Sequence, residues 1–328
     1  MNPLRIIAAA TAIEGCFAMA ILSGLGLAGA WNGWLDVINC GAPLFLCVAL
    51  ACALAAHIVM DRGLLRTACV IAALSAALFD GYLLAPDIAS LMTTAKPHPG
   101  APYRIVTSNL LDENVGPFHA GKDIVARGAD AVFLQETNGT AMRARSVLAH
   151  DYAYSTSCPN AGVQIWVKTA ILAQSCGLSL PQEAHPDWGH DFIWIKVLGP
   201  DGKPMILATT HLGRPYPPAR QTLERQGLIA ALARLPRQSL ILTGDFNTVP
   251  WSFAMRRQDR YVQPLRRQTL FRPTWPAQIN MLLRPWNLPF LPIDHIYTGP
   301  QWGTALLTRF RVAGSDHFAT QADLILAR

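Results

Sequence analysis

Three nearly uncharged apolar stretches open the chain and decide where its first quarter can reside. Ile6–Ala30 is apolar except for Glu14, Gly41–Met60 contains no Asp, Glu, Lys or Arg, and Leu64–Ala85 carries only Arg66 and Asp80. A bilayer-spanning helix needs about 20 mostly apolar residues, and each stretch supplies them. Composition sharpens the contrast. Residues 1–86 hold seven charged residues (Arg5, Glu14, Asp36, Asp61, Arg62, Arg66 and Asp80), while the whole chain has 27 Lys/Arg and 21 Asp/Glu. A membrane-like front thus precedes a back of ordinary solubility. This excludes a single soluble domain, a disordered chain and a small disulfide scaffold. The competing reading is a buried helical hairpin, and neither of the first two stretches shows the polar face it would need.

The connectors Trp31–Cys40 and Asp61–Gly63 are short, and Trp31 and Trp34 suit a headgroup-level aromatic belt. Arg5 precedes the first span, Arg62 and Arg66 flank the second turn, and Trp31–Cys40 has no Lys or Arg. The positive-inside rule puts Arg5 and the second turn in the cytoplasm. An odd number of spans then sends the remainder of the chain outward. The first stretch also reads as a cleavable signal peptide, with the same export direction. Glu14 is either a functional intramembrane acid or an interfacial residue of a span that starts near Thr11. Cys16, Cys40, Cys47, Cys52 and Cys69 lack metal-ligand spacing and read as small packing residues.

The expected organisation is an anchor over 1–86, a proline-rich linker over 87–102 and one domain over 103–328. Within that domain, strands are expected at Tyr103–Leu110, Ala131–Gln135, Val163–Val167, Ile171–Cys176, Phe192–Val197, Met205–Thr210, Leu240–Thr243, Ile296–Thr298, Thr304–Val312 and Ala319–Leu326. Val163–Val167 and Ile171–Cys176 read as a hairpin around Lys168 and Thr169. Helices are expected at His119–Arg127, Thr137–Ala149 and from Pro217 to about Arg234. This order is that of a layered α/β domain with mixed sheets. Polar residues gather where strands stop: Asn109, Glu136, His211, Asp245 with Asn247, Asp294 and Asp316 with His317. A lone Asn or Glu after a strand is usually a cap, but six such ends in one domain point to a site built on strand-end loops.

The ordered set Ser108-Asn109-Leu110, Gln135-Glu136, Thr210-His211-Leu212, Gly244-Asp245-Phe246-Asn247, Ile293-Asp294-His295 and Ser315-Asp316-His317 resembles the endonuclease/exonuclease/phosphatase superfamily, including its membrane-anchored bacterial branch. The resemblance covers about residues 103–328. It implies a deoxyribonuclease I-like four-layer α/β sandwich behind three transmembrane helices, and hydrolysis of phosphoric esters with Mg²⁺ or Mn²⁺. Carried over residue by residue, it makes Glu136, Asn109 and Asp316 metal ligands. Asp245 becomes the base that activates water, and Asn247 and His211 become donors to the phosphate. His317 stabilises the growing charge, with Asp294 orienting its ring. His295 reads as structural. One family feature is missing: the second Asn of some relatives is Leu111 here. Arg214 and Asn160 are candidates for substrate binding, without a motif to fix them. A family member that has lost activity and serves as a membrane-tethered binding module is the reading from another class.

Substrate class is less defined. Residues 87–328 carry 24 Lys/Arg against 17 Asp/Glu, a net +7, while residues 1–86 carry −1. Arg256, Arg257, Arg260, Arg266, Arg267 and Arg272 cluster, as expected for a surface that attracts nucleic acid or anionic lipid, or for a solvated helix face. Trp275–Pro292 is apolar and proline-rich, fitting either an interfacial loop or a packed lid. A phosphate-ester substrate at a membrane, lipid slightly ahead of nucleic acid, is the expectation, with no protein partner implied. The expected location is the bacterial inner membrane, multi-pass, with the catalytic domain periplasmic. Cys158 and Cys176 form either a disulfide or two free thiols.

Overall fold

The computed structural model describes residues 3–91, 101–156, 158–182, 184–186, 188–281, 284–286 and 288–326. Most of the expected linker lies outside them. The chain divides into two compact units, residues 1–93 with 249–256, and residues 94–248 with 257–328.

The first unit is built on helices α1 (Pro3–Ala28), α2 (Gly33–Asp36), α3 (Ala42–Val59) and α4 (Leu64–Leu91). Among the described residues, three segments are long and apolar enough to cross a membrane: Pro3–Ala28, Gly33–Val59 and Leu64–Ala89. The third helix runs through Pro86 to Leu91, past the expected boundary at residue 86. Ala12, Cys16, Ala53, Ala56, Cys69 and Ala73 form one buried cluster. Small side chains let helices approach closely. At Gly15 even a Cβ would come within 2.4 Å of Cys52 Sγ. The buried cysteines therefore pack as small apolar residues. Ser23 donates to Asp80 at 2.8 Å, and Arg5 pairs with Asp61 at 2.6 Å. Glu14 sits well inside α1, on its exposed face.

The second unit is a sandwich of two six-stranded mixed sheets. Its strands are β1 (Tyr103–Asn109), β2 (Ala131–Gln135), β3 (Tyr154–Ser155), β4 (Gln164–Val167), β5 (Ala173–Cys176), β6 (Phe192–Leu198), β7 (Pro204–His211), β8 (Ile241–Asp245), β9 (Arg266–Arg267), β10 (Ile279–Met281), β11 (Arg284–Trp286), β12 (Asp294–Thr298), β13 (Trp302–Arg311) and β14 (Phe318–Leu326). The sheet orders are β13-β14-β1-β2-β4-β3 and β5-β6-β7-β8-β12-β9, with β10 and β11 as a separate ribbon. Helices α5 (Pro117–Val125), α6 (Arg145–Leu148) and α7 (Pro218–Ala233) complete the set, and α8 (Phe253–Tyr261) has its residues 253–256 in the first unit and the rest in the second.

Period-two alternation explains the layers. Ile105, Phe133 and Ile165 of one sheet meet Ile193, Ile195, Leu207, Ile241 and Ile296 of the other. Their neighbours Val106, Val132 and Leu134 point outward onto Ala120, Ile124 and Leu148 of the helical layer. Each such fully buried aliphatic or Phe side chain is worth about 1.5–3 kcal/mol over exposure. Two expectations are corrected. Val163–Val167 and Ile171–Cys176 are not a hairpin: β4 pairs with β2 and β3, whereas β5 pairs with β6 in the other sheet. The all-buried β4 completes one core, and the exposed β5 edges the second sheet. The helix expected over Thr137–Ala149 is a 3-10 segment, Gly139–Ala144, followed by the single turn of α6. Gly139 holds a positive φ of 52° there, against the carbonyl of Asp112.

Candidate active site

Strand register places the polar strand ends together. β1 and β2 are parallel, with Asn109 opposite Gln135, and β7 and β8 are parallel, with His211 opposite Asp245. β12 is antiparallel to β8, so its first residue, Asp294, faces Asp245. β14 is antiparallel to β1 and starts directly after His317. Four C-terminal and two N-terminal strand ends thereby share one edge of the sandwich. Gly244 makes one approach sterically feasible, because a Cβ there would lie 2.0 Å from the Thr210 carbonyl oxygen. His211 is pinned on both sides. Its own N–H donates to Asp191 O, and those of Leu212 and Gly213 donate to Asp245 O and the buried Glu224 Oε2.

Asp245 is the hub. One oxygen accepts from the backbone N–H of Asn247 at 2.8 Å. The other lies 3.2 Å from Asn109 Nδ2, 3.7 Å from His317 Nε2 and 3.8 Å from His211 Nε2. Burial first, and then the charge of Asp294, push its carboxyl up to about 6. His317 is buried and its Nδ1 donates to Asp294 Oδ2 at 2.8 Å. Burial alone would lower its pKa. Asp294 and Asp245 outweigh that and raise it to about 10, so the ring is an imidazolium at neutral pH.

Glu136 and His211 form the opposite wall. His211 Nε2 stands 3.7 Å from Glu136 Oε1 and 3.3 Å from Asn247 Nδ2. Asn247 Nδ2 also donates to the Leu212 carbonyl. Asn109 donates to Glu136 Oε1 at 2.9 Å, while its own Oδ1 accepts from Leu111 N–H. Its NH₂, not its oxygen, thus faces the two carboxylates in this arrangement. The donor atoms of Glu136, His211 and Asp245 all lie within 4.8 Å of one another, as do those of Asp245, Asp294 and His317. The first set suits a divalent cation. Two carboxylates and one imidazole leave room for the waters that Mg²⁺ keeps, and the nitrogen also suits Mn²⁺. In the second set His317 already gives one nitrogen to Asp294 and is cationic, which disfavours a metal.

The other expected residues are Asp316, Arg214, Asn160 and His295. Asp316 Oδ2 accepts from Trp275 Nε1 at 3.0 Å, and Asp316 belongs to neither convergent set. Arg214 and Asn160 are exposed on flanking loops. His295 is buried behind the site. Its Nε2 donates to the Thr248 carbonyl, which leaves Nδ1 to accept from Thr269. Two carboxylates went unmarked in the sequence. Asp191 Oδ2 lies 3.9 Å from His211 Nδ1, and its Oδ1 accepts from Gly162 N–H. Asp112 donates its N–H to Glu136 Oε2 at 3.3 Å, and its carboxylate accepts from Asn138 N–H. Neither follows a strand end in a recognisable motif, so no local signal singles it out.

Comparison with known proteins agrees with this architecture. Residues 97–317 match the Endonuclease/Exonuclease/phosphatase family. A search of curated proteins finds no match. Among solved structures, an endonuclease/exonuclease/phosphatase from Bacteroides vulgatus is 16% identical at a TM-score of 0.55, covering 70% of this chain and 100% of that one. D. rerio TDP2, solved with a single-strand DNA product, is 15% identical at 0.54, with coverage of 69% and 100%. A protein of the same description from Beutenbergia cavernae is 17% identical at 0.52, with coverage of 70% and 72%. At these identities the likeness is one of fold.

Proposed function

This chain belongs to the endonuclease/exonuclease/phosphatase family, a family of metal-dependent hydrolases of phosphoric esters, and we propose that it is a membrane-anchored phosphodiesterase. The observation that carries the reading is the Asp245 hub, a buried carboxylate held between an imidazolium and a set of metal-type donors. Glu136, Asp245 and His211 would hold Mg²⁺ or Mn²⁺. When bound, the ion supplies charge neutralisation at the phosphoryl oxygens and acidifies water.

The protein's own groups do the rest. Asp245, which lies between the ligand set and His317, takes the proton of the attacking water. Asn247 donates to a non-bridging phosphoryl oxygen, while His211, facing the ion through Nε2, keeps Nδ1 towards Asp191. His317 presents Nε2–H to the charge that accumulates on the phosphate, and Asp294 fixes its tautomer and ring plane through Nδ1. In this reading Asn109 aligns Glu136 with Asp245, while Asp316 positions Trp275 beside the site. Arg214 and Asn160 border the substrate.

Lipid is the substrate class we place first. Val115, Tyr216, Leu288 and Phe290 are 93%, 63%, 65% and 47% exposed. They stand on loops joined to the strands that carry Asn109, His211 and Asp294. Exposed apolar side chains around a site, in a chain with three membrane-length helices, fit an interfacial substrate. In the apolar stretch Trp275–Pro292, the side chains of 279–287 lie outside the described residues. A nuclease acting outside the cytoplasm is the second reading, favoured by the +7 charge of residues 87–328. The direct test is hydrolysis of bis(p-nitrophenyl) phosphate by the detergent-solubilised chain with Mg²⁺ or Mn²⁺, comparing wild type with Glu136→Ala and His317→Ala. Metal-dependent turnover lost in both variants supports the enzyme. Indifference to metal and to both substitutions across a panel of diesters would leave the tethered binding module instead.

A further inference from the structure

We propose that Arg309 and Arg311, both against the ring of Phe318, the residue after His317, form with Arg272 a subsite for a second phosphate of the substrate, separate from the phosphate being hydrolysed. The proposal rests on the phosphodiesterase reading and adds a chemical requirement on what the site accepts.

The placement follows from the sheet. Arg311 is in register with Phe318, and Arg309 with Thr320. Arg309 and Arg311 are two residues apart on β13 and share a face, opposite the buried Phe310. Both guanidinium carbons stand 5.1 Å from the centroid of the Phe318 ring. Each arginine also spends one N–H on the segment that carries Trp275. Arg309 Nη1 donates to the Pro273 carbonyl, and Arg311 Nη2 donates to the Ala277 carbonyl at 2.9 Å. That segment is tied through Trp275 to Asp316, the neighbour of His317, so both guanidinium groups are anchored to the segment that reaches the catalytic end.

Tying down that segment does not account for three charges. Both β13 arginines remain exposed with most of their five N–H donors unused. Elsewhere in the domain Arg104, Arg220 and Arg267 each face a carboxylate, in Asp323, Glu224 and Asp259. Among the described residues Arg309 and Arg311 have carbonyl partners only. Arg272 adds like charge: burial first, and then Arg272, depress the proton affinity of Arg309. Like charges held together without a counter-ion repel one another, and a phosphate dianion relieves this with charge-assisted, bidentate hydrogen bonds.

The test uses inhibitors of bis(p-nitrophenyl) phosphate hydrolysis by the full chain. Alkanediol bisphosphates of two to eight carbons are compared with the matching monophosphates, in wild type and in Arg309→Gln/Arg311→Gln. In wild type at low salt, at least one bisphosphate should inhibit about tenfold more tightly than its monophosphate, and salt should erode the advantage. In the variant the ratio should fall to about one. Arg309→Lys/Arg311→Lys, which keeps the charge but not the fork, should retain part of it. Hydrolysis with no bisphosphate advantage in wild type, or an advantage untouched by the Gln variant, overturns the subsite while leaving the diesterase reading intact. No hydrolysis at all strikes that reading first. Competition by an oligothymidylate and by vesicles of a bisphosphorylated lipid then identifies the source, since only the true source should lose affinity in the Gln variant.

Discussion

Glu136 and Asn247 hold left-handed backbone conformations, with φ of 50° and 49°. An L side chain reaches that region at a cost of about 1–2 kcal/mol. Both residues follow a buried strand, so two core strands hold the chain in turns that aim a carboxylate and an amide at one point. That Asn247 belongs near Asp245 was legible in Gly-Asp-Phe-Asn, because the glycine is imposed by the Thr210 carbonyl and the acid by the strand end. Asp191 and Asp112 were not legible, since each reaches the site by a contact between segments distant in sequence. His295 shows how an adjacent residue can be structural. Burial first, and then Arg267, lower its pKa to about 4, against about 6.5 in an unfolded chain. Between those values the unfolded state takes up a proton that the folded state refuses, so stability falls as pH drops from 6.5 towards 4. At about 1.4 kcal/mol per unit the full effect is of order 3 kcal/mol. Urea midpoints at pH 7 and pH 4.5 should fall less for His295→Gln than for wild type. Equal falls would remove the assignment. At the other histidine, Asp294→Asn should cost less than His317→Ala, whose loss should be about 10²–10⁴ in kcat. Initial rates with saturating Mn²⁺ make that comparison.

At the scale of elements, sequence pattern located strands more reliably than their partners. Ala131–Gln135 is where the apolar run puts it, and β6 and β7 cover the expected strands Phe192–Val197 and Met205–Thr210. Partner choice is set by which core a strand completes, and that is why β4 and β5 part company. Their separation changes the meaning of the cysteines. Cys158 follows β3, the last strand of one sheet, and Cys176 ends β5, the first strand of the other. The structure joins them in a disulfide with a Cα separation of 5.8 Å, so the bond staples two sheets at an edge. With a sequence separation of 18 between the cysteines, the loop-entropy account gives about 3 kcal/mol. Cys158→Ser/Cys176→Ser should lose about that much in denaturant titration, and dithiothreitol should reproduce the loss in wild type but not in the variant. A variant as stable as the oxidised wild type would show that the two sheets need no staple.

The membrane-anchored reading proposed above puts this disulfide on one side of the membrane, and three features of the chain support the outer side. Disulfides persist in oxidising compartments and are rare in the cytosol. Arg5, Arg62 and Arg66 stand at one end of the helical unit, where Arg5 bonds Asp61, and basic residues stay on the cytoplasmic side. Within the same unit α2 and the C-terminal third of α4 hold different partners. Asp36 accepts from the backbone N–H groups of Phe253 and Ala254, and Arg256 donates to the carbonyl of Leu83. Residues 253–256 thus meet the end of this unit opposite Arg5, as the three-span reading requires. We infer that the hydrolase domain faces outward, tethered where phosphoester substrates at the outer surface of the inner membrane come within reach. Alkaline phosphatase fused to the C-terminus should then be active and green fluorescent protein at the same position dark. Replacing Arg5, Arg62 and Arg66 by Glu should reduce that contrast, because those three residues carry the orientation signal. Bright fluorescence from the wild-type fusion would invert the topology, and it would require the Cys158–Cys176 bond to be absent from protein extracted under thiol-trapping conditions.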